Sequence, residues 1–434
     1  MINSKFLITG GNPLYGKVKI SGAKNSATKL LVASLLSDEE SIFYNSPNKI
    51  NDLIVTTKIC NQLGSIIEIN NDILKVKTSN VIKTEISKEL GNQNRIPILL
   101  AGPLLHRKGK AEIPIPGGCK IGSRPVNFHI DGLKKLGCHV EIKDDYFILK
   151  SDKLKGTNIH LEYPSVGATE NIIIASTLAS GRTIITNSAV EPEIIDLIKY
   201  LQKMGAVIEI NTDRKIIIEG VEKLNGASHK IVSDRNEAVS FACAGIASKG
   251  DIFVENTKQD ELITFLNAVR MVGGKFRVEE NGIRFYYDGE LKPITIETNV
   301  HPGFMTDWQQ PFVILLSQAD GISVIHETVY EKRFGYVEAL KKMGAEIELY
   351  NTCLGKLQCR FANKEYYHSA IVKGPSELKA SEISIPDLRA GFSYLIAGVI
   401  AKGQSIINGA VYIDRGYEDI ESKLKSLGAK IDRV

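Results

Sequence analysis

One phrase recurs six times along this chain, and a chain that repeats itself so regularly has few ways to fold. "QLGSIIEI", "KLGCHVEI", "KMGAVIEI", "MVGGKFRV", "KMGAEIEL" and "SLGAKIDR" place their first glycines at Gly64, Gly137, Gly205, Gly273, Gly344 and Gly428, spaced by 73, 68, 68, 71 and 84 residues. Each glycine follows a helical pattern such as "VEALKKMG" and precedes an alternating strand, which is the position of a helix C-cap glycine. A second signature comes before each copy: an apolar helix, a glycine and a β-rich run, as in "NIIIASTLASGRTIITN" and "FACAGIASKGDIFVEN". Its stop glycines are Gly109, Gly181, Gly250, Gly321 and Gly403, with Glu39 in that place in the first copy. Each unit of about 70 residues therefore reads as strand, helix, strand, helix and strand with short connections. Units this small cannot bury both faces alone, so six of them should group into two domains of three.

The remaining bulk properties mostly exclude. With 434 residues and 43% hydrophobic content the chain can build real cores. A net charge of +4 is too mild to argue for nucleic acid or a membrane surface as partner, so any bound anion should be held by a local cluster. The opening "MINSKFLITGG" lacks the apolar run of a signal peptide and no later stretch approaches a membrane span, which makes the cytoplasm the expected location. The six cysteines show no C-x-x-C pairing and no His-rich metal spacing, favouring reduced thiols over disulfides or zinc. No metal and no cofactor is expected.

Counting back 14 or 15 residues from each stop position lands on Asn25, Arg95, Gly167, Arg235, Asp307 and Arg389, each expected in the first turn of the equivalent helix. Ordinary capping explains Ser165 and Asp387 there. Caps are seldom basic, however, and Lys24, Arg95, Arg235 and Arg389 put positive charge where the helix dipole disfavours it. Repeated four times, this implies a negatively charged, phosphate-rich ligand, although neither a P-loop nor a dinucleotide fingerprint is present.

Cys119 stands apart from the other thiols. In "IPGGCKIGSRPV" it has few apolar neighbours, whereas Cys138 in "LGCHV" and Cys243 in "FACAGIA" fit core packing. Lys120 and Arg124 nearby should lower its pKa, and Gly117, Gly118 and Gly122 suit a loop that closes over a site.

The motifs "SGAKNS", "PGGCKIGSRPV", "PSVGATEN", "EPEIIDL", "HPGFMTDWQQPF", "ETVYEKRF", "PDLRAG" and "IDRGYEDIESKLKSLGA" run the full length in order and resemble the UDP-N-acetylglucosamine 1-carboxyvinyltransferases. The resemblance implies an α/β fold: a two-domain inverted α/β barrel, or alpha/beta prism, of six βαβαββ repeats, three per domain with pseudo-threefold symmetry. It implies one domain of residues 1–22 plus 233–434, holding Asp307 and Arg389. A second domain of residues 23–232 would carry the Cys119 lid loop, with the active site between the two. The implied reaction is transfer of the enolpyruvyl group of phosphoenolpyruvate to the 3′-hydroxyl of UDP-N-acetylglucosamine. It proceeds through a tetrahedral ketal with phosphate release, as the committed step of peptidoglycan synthesis. By similarity Lys24, Arg124 and Arg389 hold phosphoenolpyruvate beside Asn25. Arg95 and Asp307 contact the sugar nucleotide, with Asp307 the candidate base. Ser165, Val166 and Gly167 suit the diphosphate; Arg124, Pro125, Val126, Asn127 and Phe128 line the uridine; Val329, Arg333 and Glu191 also match family positions. Cys119 is the reactive acid or nucleophile, the thiol that fosfomycin, a phosphoenolpyruvate mimic, alkylates in that family.

Three positions depart from the family pattern: Asn127 replaces the usual Asp, Met305 stands where Pro is common, and Val239 replaces a small residue. Two other readings compete. The shikimate-pathway enolpyruvyl transferase shares the fold, but resembles "GSKS" at the first helix and lacks the cysteine loop. A catalytically silent nucleotide-sugar sensor would have lost Lys24, Arg124, Asp307 or Arg389, and all four are present.

Overall fold

The computed structural model describes residues 4–115, 126–357 and 359–434. The recurrent glycines Gly64, Gly137, Gly205, Gly273, Gly344 and Gly428 all adopt φ between 91° and 109°. That is left-handed backbone which a residue with a Cβ resists, so each marks where a helix stops and a strand begins.

The chain divides into two compact bodies. Among the described residues, the first contains residues 4–21 and 233–434; the second contains residues 22–115 and 126–232. Gly22 thus lies with the second body, one residue from the expected boundary, because the neighbouring Ala23 N–H donates to Val232 O at 2.7 Å. A Cβ at Gly22 would meet Asn45 O at 1.9 Å, which explains the glycine of "SGAKNS".

Five of the six repeats end in a two-stranded hairpin, where the spacing of apolar residues predicts one strand; the last ends in the single strand Lys430–Arg433. In the repeat of strand Asn158–His160, helix Val166–Ser176, strand Arg182–Thr186 and helix Pro192–Lys203, the hairpin is Val207–Asn211 with Lys215–Glu219. Its four strands form one sheet, parallel at the first pair and antiparallel elsewhere. The sequence pattern merges the two hairpin strands because their turn is so short. Five such sheets have four strands; the sixth has three, with an isolated parallel bridge from Glu85 to Glu112 where the other repeats hold a first strand.

Chain ends complete these sheets. Ser228–Lys230 pairs with Glu40–Tyr44 to close the second body. In the first body, Lys5–Thr9 lies between Gln404–Asn408 and Lys430–Arg433, and Tyr15–Lys19 pairs with Asp251–Glu255.

The sheets alternate buried and half-exposed residues, while one helix per repeat is sunk into the core. All thirteen residues of the Arg235–Ala247 helix are buried, as are nine of the eleven in Val166–Ser176. A helix apolar on every face must be enclosed on every face, so the sheets form the outside of each body. Val239, fully buried, belongs to this packing. Among the described residues no helix is long and apolar enough to cross a membrane.

Candidate active site

The buried helices present their first turns at one end of each repeat. Lys24 opens the Lys24–Ser34 helix, and Arg95 caps a 3-10 turn, Ile96–Leu100, that continues into Ala101–Lys108. Val166 and Arg235 begin their helices; Asp307 sits in the 3-10 turn Thr306–Trp308 ahead of Gln309–Leu316; Arg389 is second in Leu388–Ile400. In two of the six repeats the first turn is therefore 3-10, not α. Met305, ahead of one of them, holds φ −70°, a value that proline would also adopt.

In the first body these turns build a charged cluster around Asp307. Arg333 Nη2 donates to Asp307 Oδ1 at 2.6 Å, and Arg389 Nε donates to Oδ2 at 3.1 Å. Arg333 is almost wholly buried and also donates to Thr306 O through Nε and Nη2. Arg389 Nη1 donates to Tyr417 OH at 3.0 Å. Burial opposes the charge of both arginines, but carboxylates, and Tyr417 beside Arg389, more than offset it and hold both guanidiniums protonated. Asp387 frees Arg389 for this task by capping the helix itself: its Oδ1 accepts from the N–H groups of Arg389 and Ala390. Each Asp307 oxygen thus accepts from a different guanidinium.

Glu327, which the sequence did not single out, fixes the loop next to this cluster. It is fully buried; Oε1 accepts from the backbone N–H of Val329 (2.7 Å) and Tyr330 (2.9 Å), and Oε2 from Thr306 Oγ1 and Gln309 Nε2. Burial pushes its pKa up, against the pull of Arg333 and of the Tyr330, Val329 and Thr306 donors. Tyr417 was missed as well. Both lie inside the quoted motifs "ETVYEKRF" and "IDRGYEDIESKLKSLGA", but only the fold shows what they touch. Arg235 turns out to be a packing cation, its guanidinium stacked 5.6 Å from the Trp308 ring.

The second body gathers a different set. Lys24 Nζ lies 3.0 Å from Asp52 Oδ2, and Asn94, preceding Arg95, donates to Asp52 O at 3.3 Å. No local signal marked Asp52, because 28 residues separate it from Lys24. Asn25 O accepts from Lys29 Nζ, which lies 3.7 Å from Glu170. Burial, with Glu193 and Glu191 adding to it, pushes the Glu170 carboxyl up to about 7 against the pull of Lys29. Glu191 is buried at the N-cap of Pro192–Lys203. Ser165 caps its helix through Ala168 N–H, and Gly167 lies so close to His129 that a Cβ would stand 3.1 Å from the ring. The Ser165–Gly167 turn and the Asn127–Lys135 helix, with Val126 at its N-cap, thus adjoin.

Cys119, Lys120, Arg124 and Pro125 lie outside the described residues. Burial pushes the Cys60 thiol up to about 12 and that of Cys138 to about 11, and raises Cys243 also.

Residues 8–424 match the family described as EPSP synthase (3-phosphoshikimate 1-carboxyvinyltransferase). The enolpyruvyl transferase NikO from Streptomyces tendae superposes with a TM-score of 0.88 at 21% identity, covering 100% of this chain and 99% of that one. Fold and family match together define an enolpyruvyl transferase. The UDP-N-acetylglucosamine 1-carboxyvinyltransferase of Protochlamydia amoebophila is 51% identical over 98% of this chain and 94% of its own length. That of Chlamydia muridarum is 48% identical over 98% and 97%. The chain belongs to the UDP-N-acetylglucosamine 1-carboxyvinyltransferase family.

Proposed function

We propose that the protein transfers the enolpyruvyl group of phosphoenolpyruvate to the 3′-hydroxyl of UDP-N-acetylglucosamine in the cytoplasm, as the committed step of peptidoglycan synthesis. The observation that carries the choice of acceptor is near-full-length identity to relatives of that name. The sugar oxygen bonds to C2 of the enolpyruvyl group while C3 takes a proton. The resulting ketal then loses phosphate from C2 and a proton from C3, restoring the double bond.

Asp307 accepts the hydroxyl proton, held in register by Arg333 and Arg389. Lys24, Arg124 and Arg389 neutralise the phosphate and carboxylate, with Asn25 beside them. Arg95 contacts the sugar nucleotide and the Ser165, Val166 and Gly167 turn serves the diphosphate; Arg124, Pro125, Val126, Asn127 and Phe128 serve the uridine. Asn127 keeps a carbonyl acceptor for uracil where the usual Asp would add charge. Val329, Arg333 and Glu191 complete the nucleotide-sugar contacts. Cys119 supplies a proton during the cycle, and as thiolate adds to C2 to give a thioketal adduct.

Phosphate release should be measured with UDP-N-acetylglucosamine and with shikimate 3-phosphate as acceptor. Release with the first alone is expected; release only with the second, or with neither from folded protein, overturns the reading. Fosfomycin plus the nucleotide sugar should leave a single adduct on the Cys119 peptide. Cys119→Asp should keep appreciable turnover and escape alkylation. A fully active, still inhibited Cys119→Ala enzyme would remove the thiol from the mechanism.

A further inference from the structure

We propose that His326, Cys353, Cys359 and His368 form a tetrahedral zinc site that fastens the 351–368 loop to the first body. One ligand atom from each residue, a ring nitrogen or a sulfur, lies within 4.8 Å of all the others. A zinc ion with Zn–S near 2.3 Å and Zn–N near 2.0–2.1 Å needs little more than a small contraction of such a set.

The loop itself gives the reason for a staple. Other repeats join their hairpin strands through turns such as 71–72, 144–145, 212–214 and 280–281, whereas Glu346–Tyr350 and Ser369–Gly374 are joined by residues 351–368. Among its described residues that connection contains no helix or strand, and long irregular loops inside compact domains call for tethering. Three of the four ligands come from it. The fourth, His326, ends the strand Gly321–His326 and pairs with Ser369, so the antiparallel ladder sets His326 beside His368.

The surroundings are arranged as a metal requires. His326 is fully buried, its Nδ1 lies 3.3 Å from Glu297 Oε2, and its Nε2 has no hydrogen-bond partner. His368, also fully buried, directs Nδ1 to Tyr366 O at 2.7 Å and Nε2 to Cys353 Sγ at 3.4 Å. Both rings thus donate Nδ1–H to an acceptor and keep Nε2 for the centre, the outer-shell pattern that fixes a ligating histidine. Cys359 Sγ accepts the Phe361 N–H at 3.3 Å. Glu297 also accepts Leu357 N–H at 2.7 Å, and a Cβ at Gly355 would collide with His326 Nδ1 at 2.1 Å, so the loop is threaded tightly over the pair. Two thiolates and two imidazoles suit zinc and exclude the oxygen-seeking calcium and magnesium. On binding, the two thiols release their protons to solvent and the site becomes neutral overall.

The sequence hid this site because its ligands are scattered over positions 326 to 368 without a C-x-x-C or H-x-x-x-H spacing.

The full-length chain, purified without an affinity tag and with thiols reduced, should be loaded with Zn2+, desalted and analysed for metal. About one zinc per chain should remain, and Co2+ should give the visible bands of a tetrahedral thiolate centre. Affinity should fall roughly 100-fold or more in the Cys353→Ser/Cys359→Ser variant, judged by competition with a chromophoric chelator. Cys119→Ala should retain the metal, separating this site from the thiol proposed for catalysis. Chelation should make the 351–368 loop of the wild-type chain more sensitive to protease. Equal zinc retention by wild type and double variant, an octahedral Co2+ spectrum, or a Cys353–Cys359 disulfide that persists in reductant would each overturn the proposal.

Discussion

Around Asp307 the first body holds its charge with arginine, whereas at Asp52 and Glu170 the second uses lysine. Arg333 and Arg389 grip the two oxygens of one aspartate, and each guanidinium spends further donors on Thr306 O or Tyr417 OH. Their planar forks fix the carboxylate in direction as well as distance. Lys24 instead lies 3.0 Å from Asp52 and Lys29 3.7 Å from Glu170, and an ammonium is a compact charge on a flexible stem. One body offers a preset cage for a carboxylate and the other offers point charges of looser direction.

The sharpest way to break this contrast is Asp307→Ala, which removes the carboxylate in direct contact with the buried Arg333 guanidinium. Stability should fall by about 3–5 kcal/mol in denaturant melts. Turnover should fall by roughly 100- to 10,000-fold through loss of the base. A variant as stable as wild type would mean that the arginines do not depend on the aspartate.

Charge removal on either side comes next. Arg389→Ala and Lys24→Ala should each weaken phosphoenolpyruvate binding by about one to two decades, far more than binding of UDP-N-acetylglucosamine alone. Calorimetry giving equal losses for both ligands would reject the assignment.

A subtler difference lies in pH. Because burial raises Glu170 from 4.5 to about 7, the folded state binds its proton more tightly than the unfolded chain does. Its contribution to stability is therefore fully present below pH 4.5 and is lost as pH rises to about 7. Glu170→Gln removes that loss. Relative to wild type, the variant should gain up to about 3 kcal/mol between those limits and nothing further above them. Thermal melts that run parallel across this range would exclude a raised Glu170. Smallest of all, Ser165→Ala should cost about 1 kcal/mol, as loss of one cap does, and an unchanged melting temperature would show that the 3.4 Å contact to Ala168 N–H contributes nothing.

The repeat was legible because a helix stop needs glycine wherever the backbone turns left-handed, and six such stops at near-constant spacing leave a mark in any sequence. The basic first turns were legible for a similar reason, since Lys24 and Arg389 violate the ordinary preference for acids there. What escaped was whatever depends on distant partners. Asp52, Glu327 and Tyr417 are unremarkable in their own stretches and acquire roles only when folding sets them beside Lys24, Val329 and Arg389. The hairpins escaped because a turn as short as 71–72 barely interrupts the alternation of apolar residues on either side.

The pairing of Lys5–Thr9 with Gln404–Asn408 and Lys430–Arg433 has a consequence for biosynthesis. The strands of the second body are all made once the ribosome has passed Lys230, so that body can fold while the rest is still being translated. The first body cannot, because 423 residues separate Ile8 from its strand partner Ile431. At about 5–20 residues per second, a strand built around Phe6 and Ile8, both fully buried in the finished protein, waits on the order of tens of seconds for its neighbours. The nascent chain therefore exposes this unpaired apolar strand until those distant partners are made, which makes it a segment for a chaperone to shield.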